Sequence, residues 1–109
     1  MNFECDIMVP WYGDFARRAN AANATARKKG AKGRVTWEQL RDKFVEQRGL
    51  CAYCETDIFY DLSVDHIVPF AKTGSNDISN ICLCCKSCNS RKSSWDVIEW
   101  RRHGWPKRP

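Results

Sequence analysis

Cys51 and Cys54 close the tetrapeptide "CAYC", and Cys85 and Cys88 close "CKSC", with residues 55–84 between the two pairs. Each C-x2-C turn offers two sulfurs to one ion at about 2.3 Å, and four thiolates complete a tetrahedral zinc shell. The spacing therefore predicts that two segments far apart in the chain are stapled at one point. Such a site is structural, because no position stays open for water or substrate. Cys82 and Cys85 form a competing C-x2-C, with Cys84 between them. The 85/88 pair is preferred, since Lys86, Ser87 and Cys88 can turn into a helix while 82–85 lies in a strand-like run. Cys82, Cys84 and Cys5 are then packing residues.

A staple suits this length. The 109 residues fit one domain, and a domain of that size hides only about two thirds of its unfolded surface. No apolar run approaches the ~20 residues that span a bilayer. The start, "MNFECDIMVPW", lacks the basic and apolar regions of a signal peptide. A cytoplasmic protein is expected, and in a reducing compartment close cysteines bind metal more often than they form disulfides. The net charge of +5 is unevenly spread. Residues 11–34 and 86–109 each carry seven Arg/Lys, against one and two acids respectively, while 35–85 carries four basic and eight acidic residues. Basic flanks suit phosphates, and an acidic centre suits a divalent cation. Arg17, Arg18, Arg27, Lys28, Lys29, Lys32 and Arg34 are candidate backbone contacts, giving salt-dependent binding with little sequence choice.

The coarse reading is α+β. "GDFARRANAANATARKKG" (13–30) is helix-prone, with Asp14 as N-cap and Gly30 as stop. Its apolar content is mostly alanine, so weak packing is expected. "TWEQLRDKFVEQRG" (36–49) is a stronger helix: Thr36 and Gln39 make a capping box, Trp37, Leu40, Phe44 and Val45 form one stripe, and Gly49 ends it. Strands are expected at 61–68 and 81–85, separated by the loop "PFAKTGSNDISN". A helix starts in 85–94, and a last helix covers 95–102, capped by Ser93 or Ser94, with Trp95 and Ile98 on one face. The organisation is a basic helical lead-in (1–50), a zinc-stapled core (51–94), and a C-terminal helix with a basic tail (95–109). His103 is read as a surface residue, and Tyr53 is assigned no role.

Within the first strand, "SVDHIVPF" (63–70) sets Asp65 beside His66 among Val64, Ile67 and Val68. A buried charge left without a partner costs several kcal/mol, of order 3 or more, so these groups are either satisfied or used. Strict alternation points them to opposite faces; both serve one site only if the strand twists or ends there. Strand, loop, strand and helix can converge Asp65, His66, Asn80 and Asn89.

At "CAYC" and "DHIVPFAKTGSNDISNICLCCKSCNSRK" the sequence resembles the HNH endonuclease family, the ββα-metal nucleases, and "ARKKGAKGRVTWEQL" is similar to the lead-in of small free-standing members. The resemblance implies a metal-dependent DNA endonuclease that leaves 5′-phosphate and 3′-hydroxyl ends. It implies His66 as general base, Asp65 and Asn89 as ligands of one catalytic Mg2+ or Mn2+, and Asn80 as the residue that pins the loop and holds His66 in register. Asn89 stands where many members carry His; an all-oxygen shell favours hard cations. Arg91 or Lys92, one turn on, would neutralise a phosphate. Double-stranded DNA is the implied partner, and because small members often occur in phages beside packaging genes, phage packaging proteins are a further implied partner. A non-catalytic zinc-dependent nucleic-acid-binding module is the alternative.

Overall fold

The computed structural model describes residues 8–103. Four helices and one hairpin follow in the order α1 (Tyr12–Lys29), α2 (Trp37–Glu46), β1 (Ser63–His66), β2 (Ile81–Cys84), α3 (Lys86–Lys92) and α4 (Val97–Arg102). Short 3-10 turns at Phe70–Lys72 and Ile78–Asn80 stiffen the β1–β2 connection. The architecture is α+β, with helices packed on a two-stranded antiparallel sheet. No helix among the described residues is long and apolar enough to cross a membrane. Cys5 and the tail beyond His103 lie outside the described residues.

Two corrections concern α1. Trp11, not Asp14, occupies the N-cap, and it makes no side-chain capping bond. Asp14 sits inside the first turn, where its carboxylate pairs with Arg17 at 2.7 Å and favours the helix N-terminus. Nor does α1 pack weakly. Phe15, Ala19, Ala22, Asn23 and Ala26 are buried along one stripe, and Phe15 meets Phe44 of α2 edge-on with centroids 5.9 Å apart. Small alanines let the helix approach closely, so low apolar mass does not mean loose contact. Gly30 ends it in a left-handed conformation, as expected, and Ala31 N donates to Ala26 O at 2.9 Å.

Helix α2 carries the expected capping box of Thr36 and Gln39. It stops at Glu46, where Arg48 and Gly49 turn left-handed (φ 57° and 72°) and the Gly49 N–H donates back to Phe44 O at 3.0 Å, while the Gln47 side chain grips β2. The Gln47 Nε2 donates to Leu83 O at 2.8 Å, and Leu83 N donates to its Oε1 at 3.0 Å. This side chain pairs the free edge of β2 as another strand would. Helix α4 begins at Val97 under Asp96, which makes a second capping box with Glu99; the serines do not cap it. That start rotates the helix, so Trp100 is buried and Ile98 is 65 % exposed, against the expected Trp95–Ile98 face.

The hairpin register sets the site. Asp65 stands opposite Cys82 and His66 opposite Ile81. Side chains alternate across a strand, so Ser63, Asp65, Cys82 and Cys84 share one face, while Val64, His66, Ile81 and Leu83 share the other.

Candidate active site and metal centre

The Sγ atoms of Cys51, Cys54, Cys85 and Cys88 all lie within 4.8 Å of one another, and all four residues are buried. Cys54 Sγ and Cys85 Sγ are 3.7 Å apart, close to the separation of about 3.8 Å that two sulfurs adopt in a tetrahedral zinc–thiolate shell. Soft sulfur donors suit zinc. Burial pushes the Cys51 and Cys88 thiols up. Burial also opposes ionisation of Cys54, but hydrogen bonds from the Thr56 hydroxyl and backbone and from neighbouring sulfhydryls outweigh it and lower that thiol to about 7. The residues present therefore fit a metal, and these four would hold it. Cys82 does not join them: its sulfhydryl donates to the Tyr53 hydroxyl at 3.2 Å. Burial raises it to about 12. This selects the 85/88 pair over 82/85.

On the Asp65 face lies a buried polar chain. The Tyr53 hydroxyl donates to Asp65 Oδ2. The Lys92 ammonium donates to Asp65 Oδ1 at 3.2 Å and to the His66 carbonyl at 3.1 Å. Lys92 is fully buried, so the expected phosphate contact is corrected: its charge is spent on Asp65 inside the protein. Burial, then the nearby Cys82 and Asp65, keep the Tyr53 phenol protonated by raising its ionisation far above the usual range. Tyr53 thus has a role that the sequence did not reveal. It touches the carboxylate with its hydroxyl, and its ring is met edge-on by Trp100 of α4 at 5.0 Å.

His66 occupies the opposite face. It lines a groove of about 420 Å³ with Arg18, Ala22, Thr25, Phe70 and Asn89. Its ring lies against Phe70, centroids 4.2 Å apart, and its Nε2 is 2.8 Å from Asn76 Oδ1. Arg18 is held by two backbone carbonyls, Leu62 O at 3.0 Å and Asp14 O at 2.9 Å. Both acceptors are neutral, so its charge stays available to the groove. Asn80 makes three backbone bonds: its Nδ2 donates to Val68 O at 2.9 Å and Ser75 O at 2.8 Å, and its Oδ1 accepts from Val68 N at 2.9 Å. The Asn80 carbonyl also accepts from Ile67 N at 2.9 Å, one residue beyond His66.

The structure therefore brings His66 and Asn89 to one groove and turns the Asp65 carboxylate away from it, towards Tyr53 and Lys92. Arg91, Arg27, Lys28, Lys29, Lys32 and Arg34 are exposed. Nothing in the sequence singles out Asn23 or Asn76, and Arg18 reads there as a residue of the basic flank, not of the site. Only the length of the 69–80 loop hinted that one of its polar residues could fold back onto the strand.

A hairpin and a short helix that meet at four clustered cysteines able to hold a metal, with a histidine at the end of the first strand opening into a basic groove, define a ββα module. Residues 51–94 match the family model described as HNH endonuclease. The chain is 33 % identical over 81 residues to the SPbeta prophage-derived protein YoqL of Bacillus subtilis (strain 168); the match covers 61 % of this chain and 31 % of that protein. It is 40 % identical over 52 residues to the CRISPR-associated endonuclease Cas9 of Actinomyces naeslundii, covering 46 % of this chain and 5 % of Cas9. The crystal structure of that Type II-C Cas9 superposes with a TM-score of 0.55 at 32 % identity, over 86 % of this chain and 11 % of the Cas9 chain. The chain thus spans less than a third of the length of either relative.

Proposed function

We propose that this chain hydrolyses DNA phosphodiester bonds, with His66 as general base. The observation that carries this reading is the groove in which His66, Arg18 and Asn89 meet. Arg18, held in place by two carbonyls, binds the phosphate flanking the scissile bond, because a guanidinium already oriented loses little entropy on contact. His66 takes a proton from the attacking water, a task that suits a neutral imidazole near pH 7. The phosphorus–O3′ bond breaks in line, leaving a 5′-phosphate and, once the departing oxygen gains a proton from solvent, a 3′-hydroxyl. Asn80 keeps the strand end and loop in register, so that His66 faces the groove.

Asp65 and Asn89 offer oxygen donors alone, the chemistry that a hard divalent cation, Mg2+ or Mn2+, takes, but the Asp65 carboxylate faces away from the groove that Asn89 lines. Such an ion, when bound, stabilises charge on the transferring phosphate. Taking part in that shell requires the Asp65 carboxylate to leave both Tyr53 and Lys92 and to turn to the other face of β1. The exposed cations Arg27, Lys28, Lys29, Lys32, Arg34 and Arg91 hold flanking phosphates of double-stranded DNA without reading bases.

The buried Asp65–Lys92 pair favours one competing reading, a zinc-dependent nucleic-acid-binding module without cleavage. Nicking of supercoiled plasmid in Mg2+, Mn2+ and EDTA, beside His66→Ala, separates the two. Metal-dependent relaxation that vanishes in the variant supports the nuclease. DNA retention with no cleavage in any metal leaves the binding module.

A further inference from the structure

The His66 ring nitrogen that faces the protein is held by a chain of buried amides that begins on α1. Asn23 is 6 % exposed and Asn76 is 0 % exposed. Asn23 Nδ2 donates to Val35 O at 2.9 Å, and Val35 N donates to Asn23 Oδ1 at 3.0 Å. A backbone N–H only donates and a backbone carbonyl only accepts, so this pair of bonds fixes which end of the Asn23 amide is oxygen. That oxygen also takes a bond from Asn76 Nδ2 at 2.7 Å. Were the Asn76 amide reversed, two carbonyl oxygens would face each other at that distance. Asn76 Oδ1 is therefore the end that meets His66 Nε2, at 2.8 Å. An amide oxygen cannot donate, so Nε2 must carry the hydrogen. The Asn76 backbone is itself anchored, its N–H donating to Lys32 O at 2.7 Å.

We infer that Asn23 and Asn76 are positioning residues that set the tautomer of His66: Nε2–H is held inside the protein, and Nδ1 is left as the lone-pair nitrogen. The inference rests on the proposed general-base role and makes it specific, since only Nδ1 is then free to accept a proton from water. It also gives the Asn23 side chain and the Val35 backbone a part in the chemistry, although neither of these two residues touches substrate. A neutral histidine in water exchanges freely between its two tautomers. Here the wrong one would set the Nε2 lone pair against the Asn76 oxygen.

The test is the ¹⁵N spectrum of the zinc-loaded full chain labelled at histidine, recorded without Mg2+ or Mn2+ at a pH about two units above the ordinary imidazole value of about 6.5. The chain has two histidines, so His103→Gln assigns the signals. The expected result is a protonated Nε2 and an unprotonated Nδ1 at His66. A protonated Nδ1, or averaged signals of a free tautomer mixture, overturns the inference. Asn76→Ala should then give averaged signals and lower kcat roughly 10–100-fold with KM little changed; unchanged signals in that variant also overturn it. If the variant does not fold, by melting curve and zinc content, the wild-type spectrum decides alone. The spectrum is read without any cleavage. A protein with the inferred tautomer that nicks nothing in any metal keeps the relay and loses the nuclease reading, whereas nicking with Nδ1–H does the reverse.

Discussion

Lys92 shows how far a residue's role depends on what folds against it. From the sequence, a lysine one turn beyond Asn89 in a basic segment reads as a phosphate contact. Its helical placement was legible, but the face it presents was not, because that depends on where β1 sets Asp65. The side chains of Lys92 and Asp65 are 0 % and 5 % exposed, so solvent does little to screen them. Removing one partner strands the other charge, so Lys92→Met should lower unfolding free energy by about 3–5 kcal/mol, read as the urea midpoint. Adding Asp65→Asn should recover most of that loss, since a neutral amide can still accept from Tyr53. A double variant no more stable than Lys92→Met would show that the pair is not the source. Asn23 and Asn76 were illegible for a related reason. Each is one polar residue among many in an Ala/Asn-rich helix or a polar loop, and only the tertiary contact between them distinguishes it.

At the level of elements, boundaries marked by local chemistry were readable and those set by tertiary contacts were not. The Thr36–Gln39 box and the Gly30 stop are written in neighbouring residues. The grip of the Gln47 side chain on β2, 36 residues on, is a tertiary contact that its neighbours do not announce. The same capping pattern also stands at Asp96–Glu99, but the apolar Trp95 directly after the serines imitates an earlier helix start. The 69–80 loop has its own local constraint at Gly74. A Cβ built there would lie 1.7 Å from Val68 O and 2.5 Å from Val68 C, both backbone atoms that cannot swing aside. Gly30 has a positive φ of 69° but nothing within 4 Å of an added Cβ. Gly30→Ala should therefore cost only about 1–2 kcal/mol of left-handed strain, without touching the groove. Gly74→Ala should displace the loop that Asn80 pins, lowering both thermal stability and nicking. Backbone amide shifts in the 66–80 segment test this directly: a spectrum of Gly74→Ala unchanged there would refute the steric argument.

Over the whole molecule, the thiolate cluster and the basic surface do separate jobs, and each has its own readout. Structural zinc sites in small peptides contribute about 10–16 kcal/mol, as much as the whole net stability of about 5–15 kcal/mol that is usual for a domain. Cys88→Ser should lose bound zinc and the ordered hairpin together, by metal content and melting curve. Cys82→Ser should keep a full complement of zinc, since Cys82 bonds Tyr53 and not the cluster; zinc loss there and retention in Cys88→Ser would reverse the assignment. The basic surface acts through counterions. Arg27, Lys28 and Lys29 close the last turn of α1, exposed and on the same chain segment as the groove-lining Arg18 and Thr25. If each holds one DNA phosphate, replacing all three with alanine should reduce the slope of log K against log salt by about 2.7, at about 0.9 per phosphate. Affinity should fall alike for any duplex sequence, because phosphate contacts carry no base information. The three side chains also complement the helix C-terminus, so some stability is lost with them, about 0.3–1 kcal/mol apiece at most. A melting curve separates that loss from the binding change. A salt slope equal to that of the parent chain, in a variant that remains folded, would place the DNA on another face of the molecule.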